Sequence, residues 1–538
     1  DLHRLIRRQR QMCIRDSHSL SVYFSGYVVL LLLMYCHAKL KNISQHTVIS
    51  AHLFLPDYSP MNRDSFYPAI ACFPLLLMLA GCAPMHETRQ VLSQQTPAAQ
   101  VDTVLPTALK NGWPDSQWWL EYHDNQLTSL INNALQSAPD MQVAEQRIQL
   151  AEAQAKAVAT QDGPQLDFSA DMERQKMSAE GLMGPFALND PAAGTTGPWY
   201  TNGTFGLTAG WHLDIWGKNR AEVTARLGTV KARAAEREQT RQLLAGSVAR
   251  LYWEWQTQAA LNTVLQQIEK EQNTIIATDR QLYQNGITSA VEGVETDINA
   301  SKTRQQLNDV AGKMKIIEAR LNALTNHQTK SLKLKPVALP KVASQLPDEL
   351  GYSLLARRAD LQAAHWYVES SLSTIDAAKA AFYPDINLMA FLQQDALHLS
   401  DLFRHSAQQM GVTAGLTLPI FDSGRLNANL DIAKAESNLS IASYNKAVVE
   451  AVNDVARAAS QVQTLAEKNQ HQAQIERDAL RVVGLAQARF NAGLIAGSRV
   501  SEARIPALRE RANGLLLQGQ WLDASIQLTG ALGGGYKR

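Results

Sequence analysis

Cysteine is scarce in this chain of 538 residues, and it is confined to the N-terminal part. The four cysteines are Cys13, Cys36, Cys72 and Cys82. From residue 83 onward the sequence contains no thiol. A disulfide framework and a thiolate metal cluster are therefore excluded from that part of the chain.

An excess of one charge sign is also missing, because 51 Lys and Arg residues face 50 Asp and Glu residues. Residues 1–81 hold eight of the basic and four of the acidic residues, which leaves 43 basic and 46 acidic residues from residue 82 onward. A nucleic-acid-binding surface leaves a basic footprint. This balance gives no support to such a role, and we predict no nucleic-acid partner.

The familiar catalytic motifs are absent as well. No two histidines have the spacing of the zinc-protease helix with its intervening glutamate, and no Gly-x-Ser-x-Gly turn occurs. The glycines of "GALGGGYKR" stand at the chain end, where no helix can follow to bind a phosphate. We therefore predict a protein that is not an enzyme and that has no cofactor or metal.

Long hydrophobic runs are few, and the one that ends at Cys82 is informative. The run from Phe73 to Ala80 is far shorter than the roughly 20 residues of a membrane-spanning helix, but it suits the apolar part of a secretion signal. The last two residues of the run belong to Leu79-Ala80-Gly81-Cys82, which resembles the bacterial lipoprotein signal. We predict a signal peptide at 61–81 and a covalent lipid on Cys82. The alternative is a chance run of small residues with a core cysteine.

Residues 1–60 differ from the rest of the sequence. The stretch Met12–Ser17 reads "MCIRDS" and resembles a translated transposon-end adapter. We predict that residues 1–60 are a non-native extension and that Met61 is the natural start. The alternative is a genuine N-terminal membrane anchor, because Val22–Cys36 is an apolar run of about 15 residues.

The remaining sequence contains one plan twice, which is its strongest internal signal. Asp140 and Pro164 of the first copy align with Asp360 and Pro384 of the second, and "TAGWHLDIWGKNR" aligns with "TAGLTLPIFDSGR". We predict a first repeat at 136–330, a linker at 331–350 and a second repeat at 351–538. Residues 82–135 form an N-terminal lipid-anchored segment and equatorial region in this interpretation.

Each repeat combines two kinds of periodicity. Apolar and polar residues alternate around Phe205–Ile215 and Val412–Ile420, which predicts strands with one apolar and one polar face, and each strand has a partner that precedes it. Runs rich in Ala, Glu, Gln, Arg and Leu follow and end at Gly286 and Gly493, which predicts helices of roughly 100 Å. Each repeat is thus predicted to be a β-hairpin plus a long helical hairpin.

Four strands are too few to close a membrane barrel, whose smallest members have about eight strands. Because an open sheet edge is not tolerated in lipid, the chain has to oligomerise if its strands enter a membrane. Three chains would supply twelve strands. A lipid-tethered structural coiled coil in the periplasm is the alternative, although such a protein has no need of strands.

From about residue 61 to 538 the sequence resembles the outer membrane efflux channels of the TolC type, in their lipoprotein branch. The stretches "WPDSQWWLEYHDNQLTSLINNAL", "LPIFDSGRLNANL" and "GALGGGY" carry this resemblance. It implies a mainly α-helical fold with a membrane β-barrel portion, in which a trimer forms a twelve-stranded β-barrel and a periplasmic α-barrel. It also implies the exit duct of a tripartite multidrug efflux pump in the outer membrane, with a periplasmic adaptor protein and an inner-membrane transporter as partners.

The resemblance also implies roles for residues near the two glycine turns. The adaptor-contact residues are Gly286, Ile287, Thr288, Gly493, Leu494 and Ile495. Glu292 and Arg499 fall where the family closes the duct with ion pairs between neighbouring hairpins. Ala503 and Pro506 stand where acidic residues usually ring the entrance, so cation binding there is not expected. The alternatives are ordinary turns and solvated surface charges.

Overall fold

Two helices of 67 residues each dominate the fold, and both follow a β-hairpin. In this computed structural model they are α3 (Lys218–Gln284) and α6 (Arg425–Asn491). At 1.5 Å per residue each helix is about 100 Å long. The structure describes residues 112–176, 199–326, 332–341 and 356–537, together with residues 85, 89–95, 178 and 354.

Each long helix is followed by a helix of 35 residues, namely α4 (Ala290–Leu324) after α3 and α7 (Gly497–Ala531) after α6. Shorter helices precede the strands: α1 (Asn125–Ser137), α2 (Pro139–Ala159) and α5 (Ala359–Ala380). The strands are β1 (Gln165–Lys176), β2 (Trp199–Leu213), β3 (Asp385–Ala396) and β4 (Gln408–Thr417). The order helix, hairpin, long helix, shorter helix therefore occurs twice, and the predicted repeat is confirmed.

The four strands form one antiparallel sheet in the order β1-β2-β3-β4. The predicted second strand of each repeat runs too far in the C-terminal direction, because β2 ends at Leu213 and β4 at Thr417. Pro419 has no N–H to donate to the hydrogen-bond ladder between strands, and therefore β4 ends before it. Asp422 then caps α6 by accepting hydrogen bonds from the backbone N–H groups of Gly424 and Leu426, at 3.0 and 2.8 Å.

The helices pack side by side in the same order as the strands to which they are connected. At the end near the sheet α3 packs between α2 and α5, and α5 packs against α6. Further along, α3 packs between α4 and α7, and α7 packs against α6. The helices thus form a layer that extends the sheet. Small residues such as Ala232, Ala235 and Ala249 are buried in α3, which allows neighbouring helices to approach closely.

The largest apolar cluster lies halfway along α3, where α1 covers it. Tyr252 and Trp253 of α3 pack there with Leu127 and Ile131 of α1. The Tyr252 hydroxyl donates to Asp124 Oδ2 at 2.7 Å, while the other oxygen of this carboxylate accepts from backbone N–H groups at the start of α1. This cap fixes the beginning of α1 on the long helix.

The extended segment 332–341 is held in the same region by glutamine side chains. Gln256, which is fully buried, donates to the carbonyl oxygen of Lys335 at 3.0 Å and accepts from the N–H of Val337 at 2.9 Å. Gln126 of α1 and Gln518 of α7 bind the same segment through its backbone. These amides replace the partners that a neighbouring strand would offer.

Candidate functional site

The register of the sheet places most of the apolar residues on one face and most of the polar residues on the other. Phe168, Leu207, Leu392 and Met410 stand opposite one another on the four strands and therefore share one face. Thr208, the next residue of β2, belongs to the other face. The alternation predicted for β2 is confirmed, and Leu416 and Thr417 of β4 are separated in the same way.

The apolar face is exposed rather than packed against other elements of this chain. Val412 is 81% exposed, and Phe168, Met410 and Leu416 are also exposed. On β2 this face extends from Gly203 to Leu213, which corresponds to a height of about 25 Å for a strand tilted by about 40°. Such a height matches the apolar band of outer-membrane barrels. Among the described residues, no helix has the length and apolarity that a bilayer crossing requires.

The polar face carries acidic residues and, within the described strands, no lysine or arginine. The carboxylates that share this face are Asp167, Asp171, Glu173, Asp385 and Asp395. Small residues accompany them, including the equivalent pairs Gly206/Gly210 and Gly411/Gly415. A sheet closed with this face inward would enclose a wide aqueous path whose charge repels anions.

At the far end of the helices the two predicted glycine turns have nearly the same geometry. Gly286 and Gly493 have φ values of 72° and 71°. The N–H of Ile287 donates to the carbonyl of Leu282, and that of Leu494 to the carbonyl of Arg489, both at 2.9 Å. Each turn is a left-handed helix cap, which glycine adopts without strain.

The predicted adaptor-contact residues lie at these turns and present apolar surface. Ile287 is 70% and Leu494 is 73% exposed, whereas Thr288 and Ile495 are half-buried. The exposed apolar surface continues along the hairpins, and its further members are Tyr283, Val291, Val294, Leu485 and Phe490. Exposed apolar groups in this density are typical of an interaction surface.

The predicted gate residues Glu292 and Arg499 are near one another, but the closest partner of Arg499 is a different carboxylate. Arg499 Nη1 donates to Glu502 Oε2 at 2.7 Å, on the same helix. This bond is the main reason that the pKa of Arg499 is raised, and the negative charges of Glu292 and Asp279 raise it further. The link between Glu292 and Arg499 stays a prediction.

A second arginine, which is not among the predicted gate residues, joins the two hairpins. Arg504 of α7 donates to Glu271 of α3 at 3.3 Å and to Gln487 of α6 at 3.2 Å. Pairs within each hairpin accompany it, with Glu269–Arg304 in the first and Glu476–Arg511 in the second, at 3.0 and 3.2 Å. These two pairs are related by a shift of 207 residues, which a comparison of the helices in the sequence could have found.

Cys82 lies outside the described residues, but the segment that follows it is partly described. Met85 packs against the cluster of Phe382, Leu426 and neighbouring residues, at the end of the helices next to the sheet. Further on, Asn438 and Asn445 of α6 bind residues 90–95. Each asparagine accepts from one backbone N–H and donates to one carbonyl, at 2.7–3.0 Å.

The sequence model of the outer membrane efflux protein family matches residues 130–327 and 350–534, which is more than half of the chain. The chain belongs to the outer membrane efflux protein family. Its apolar sheet face and its location in the outer membrane agree with one another.

Among the described residues, no group of three or more His, Cys, Asp or Glu side chains is arranged to hold a metal ion.

Named relatives cover almost the whole sequence. The multidrug resistance outer membrane protein MdtQ of Escherichia coli O6:H1 is 99% identical over 478 residues, which are 89% of this chain and 100% of that protein. The multidrug resistance outer membrane protein MdtP of Shigella flexneri is 36% identical over 466 residues, which are 86% of this chain and 94% of that protein.

Solved structures share the fold. The outer membrane protein VceC of Vibrio cholerae is 26% identical and has a TM-score of 0.67, with coverage of 79% of this chain and 100% of that chain. The CmeC outer membrane channel of Campylobacter jejuni is 19% identical and has a TM-score of 0.71, with coverage of 83% and 96%. The mainly helical, TolC-like fold of an outer membrane efflux duct is thereby shown.

Proposed function

We propose that three copies of the chain form a passive exit duct for small toxic compounds, within a tripartite multidrug efflux pump. The observation that carries this proposal is the sheet with one exposed apolar and one acidic face, continued by helices of about 100 Å. No catalytic step is needed, because a duct only has to keep a path open.

Association of several copies follows from the unpaired edges. Among the described residues β1 pairs only with β2, and β4 pairs only with β3. In lipid both edges need partners, and the edge of a second copy supplies them. Three sheets give twelve strands, an even number as in single-chain outer-membrane barrels. The helices then enclose the periplasmic part of the same path.

The partners of the duct are a periplasmic adaptor and an inner-membrane transporter. Ile287 and Leu494 are the apolar contacts that we assign to the adaptor, since they lie at the end of the helices opposite to the membrane. The transporter supplies the energy. The names of MdtQ and MdtP support multidrug export as the role of the pump.

A covalent lipid, with palmitate among its chains, is proposed on Cys82. Met85 packs next to the membrane end of the helices, and only two residues separate it from Cys82. An acylated thiol could therefore reach the inner leaflet of the outer membrane. Two or more acyl chains make such an anchor stable. Palmitate labelling of the wild type that persists in Cys82→Ala would contradict this assignment.

The duct is tested by expression in a strain that lacks its own outer membrane efflux proteins. We expect restored drug tolerance, trimers whose migration changes on heating, and ion conductance of the purified protein in planar bilayers. The alternative, a lipid-tethered coiled coil, predicts a purely helical far-UV spectrum and no conductance. The absence of both conductance and drug tolerance would refute the duct.

A further inference from the structure

The connection between β3 and β4 folds back over the apolar face of the sheet. Leu402 is only 7% exposed because it lies on Gly203 of β2, where an added Cβ would come within 2.9 Å of its Cδ1 atom. Phe403 packs beside Phe205 of β2, with 5.6 Å between the ring centroids. Gly203 and Phe205 belong to the apolar face, so the connection covers the end of that face that is farthest from the helices.

The outer side of this connection is apolar and basic. Phe403 is 84% exposed, and Leu399 is exposed beside it. The guanidinium of Arg404 is held by Asp401 through Nη1 at 3.0 Å, but 70% of the Arg404 side chain remains exposed. An arginine has five N–H donors, so most of its donors can still bind an anion.

Two more cations stand on the same face at the same end of the sheet. Arg174 and Lys176 of β1 share the parity of Phe168, and both are exposed. Arg174 is opposite Thr201, two residues from Gly203, so its Cα lies within about 10 Å of the position that Leu402 covers. The acidic residues of β1, in contrast, point to the other face. We call Arg174, Lys176, Leu399, Phe403 and Arg404 the rim patch.

The geometry points to the rim patch as a binding surface for a phosphorylated, acylated lipid of the outer leaflet. The inference rests on the proposed orientation of the duct, in which the helices enter the periplasm and the hairpin connections face outward. The patch is continuous with the lipid-facing surface, so acyl chains can lie against Leu399 and Phe403. Phosphate groups then contact Arg174, Lys176 and Arg404. Each of the two arginines can bind a phosphate through two N–H groups.

The charge distribution favours this occupant over a second copy of the chain. Copies join through the edges of β1 and β4, whereas the rim patch lies on the face of the sheet. Cations on the lipid-facing side and carboxylates on the opposite side are the arrangement expected where one side meets anionic headgroups.

Native mass spectrometry of purified trimers in detergent tests the proposal with two probes. One is lipid A, an acylated disaccharide with two phosphates, and the other is the same acylated disaccharide without phosphates. We compare the wild type with R174Q/K176Q/R404Q. The control is K270Q/K302Q/K313Q, which removes the same charge from exposed lysines on the helices. F403A is a separate variant that keeps all charges.

We expect the wild type and the control to bind lipid A at least tenfold more tightly than the phosphate-free probe. R174Q/K176Q/R404Q should lose that preference, and F403A should bind both probes more weakly. Equal lipid A binding by the rim and control variants would overturn the proposal, and so would equal binding of both probes by the wild type. Conductance of the same samples reports separately on the duct, because the rim patch lies outside the path.

Discussion

Arg504 on α7 reaches Glu271 on α3 at 3.3 Å and thereby joins the second helical hairpin to the first. The equivalent positions in the other repeat, at a shift of 207 residues, are Asp297 and Asp478. In the proposed ring of three chains, the repeat places these two aspartates at the contact between neighbouring copies. The ring would thus alternate between a bridged joint within each copy and an unbridged, acidic joint between copies.

The bridged joint predicts that R504Q opens the duct. An exposed pair is worth about 0.5 kcal/mol, and three copies amount to about 1.5 kcal/mol, roughly a tenfold change in the open fraction. Single-channel recordings in planar bilayers measure this change. R304Q, which breaks the pair with Glu269 inside one hairpin, is the matched control and should conduct like the wild type.

The unbridged joint predicts the opposite effect for D297R. This substitution places a cation opposite Asp478 of the neighbouring copy and converts repulsion into attraction. We expect the open fraction to fall by about threefold to tenfold, since the new pair occurs three times. The control D297N removes the repulsion without adding the pair and should lie between D297R and the wild type. An open fraction of D297R equal to that of the wild type would contradict the alternation of bridged and unbridged joints.

The predicted gate pair is tested with Glu502 included. If Glu292 and Arg499 hold the closed state, E292A and R499A both conduct more, and the charge-swapped double variant closes again. Three such pairs, each worth about 0–1 kcal/mol, limit the increase to about a hundredfold. If Glu502 is instead the partner of Arg499 in the closed state, E502Q conducts as R499A does, while E292A conducts like the wild type. That result would contradict the predicted link between Glu292 and Arg499.

The two faces of the sheet predict opposite responses at adjacent positions. L207K places a charge on the apolar face and should destabilise the membrane-inserted protein by about 2–4 kcal/mol if the residue lies near mid-bilayer. T208K faces the aqueous path and should be tolerated. The yield of heat-modifiable trimers measures the difference. Similar yields for both variants would show that the faces are assigned incorrectly.

The glycine turns predict a loss of efflux in G286V/G493V without a loss of trimers. Valine is strained at the positive φ of these positions, and the turn that presents Ile287 and Leu494 would be distorted. Asparagine tolerates this backbone, so G286N/G493N is the control and should retain efflux. Drug tolerance and trimer yield are measured together. Normal tolerance of G286V/G493V would remove the adaptor-docking role of the turns.

The elements of the fold could be predicted from local sequence patterns. Period-two alternation marks β2 and β4, and the absence of proline and scarcity of glycine mark α3 and α6. The contact between Arg504 and Glu271 could not be predicted, because it depends on the rotational phase of two helices that are far apart in the sequence. The contacts of segments 90–95 and 332–341 with the helices could not be predicted either, because amide side chains of distant helices hold them, and no periodicity reveals such partners.

Equivalent helices of the two repeats have equal lengths, and this equality restricts how such a protein can change in evolution. Inserting one residue into α3 alone would rotate everything beyond it by about 100° and displace it by about 1.5 Å, so the two turns would no longer lie level. Length differences are instead found in a connection between strands, with 22 residues at 177–198 and 11 residues at 397–407. A longer duct would require matched insertions in all four helices at once. The smallest insertion that nearly preserves the facing sides is seven residues, which adds about 10.5 Å.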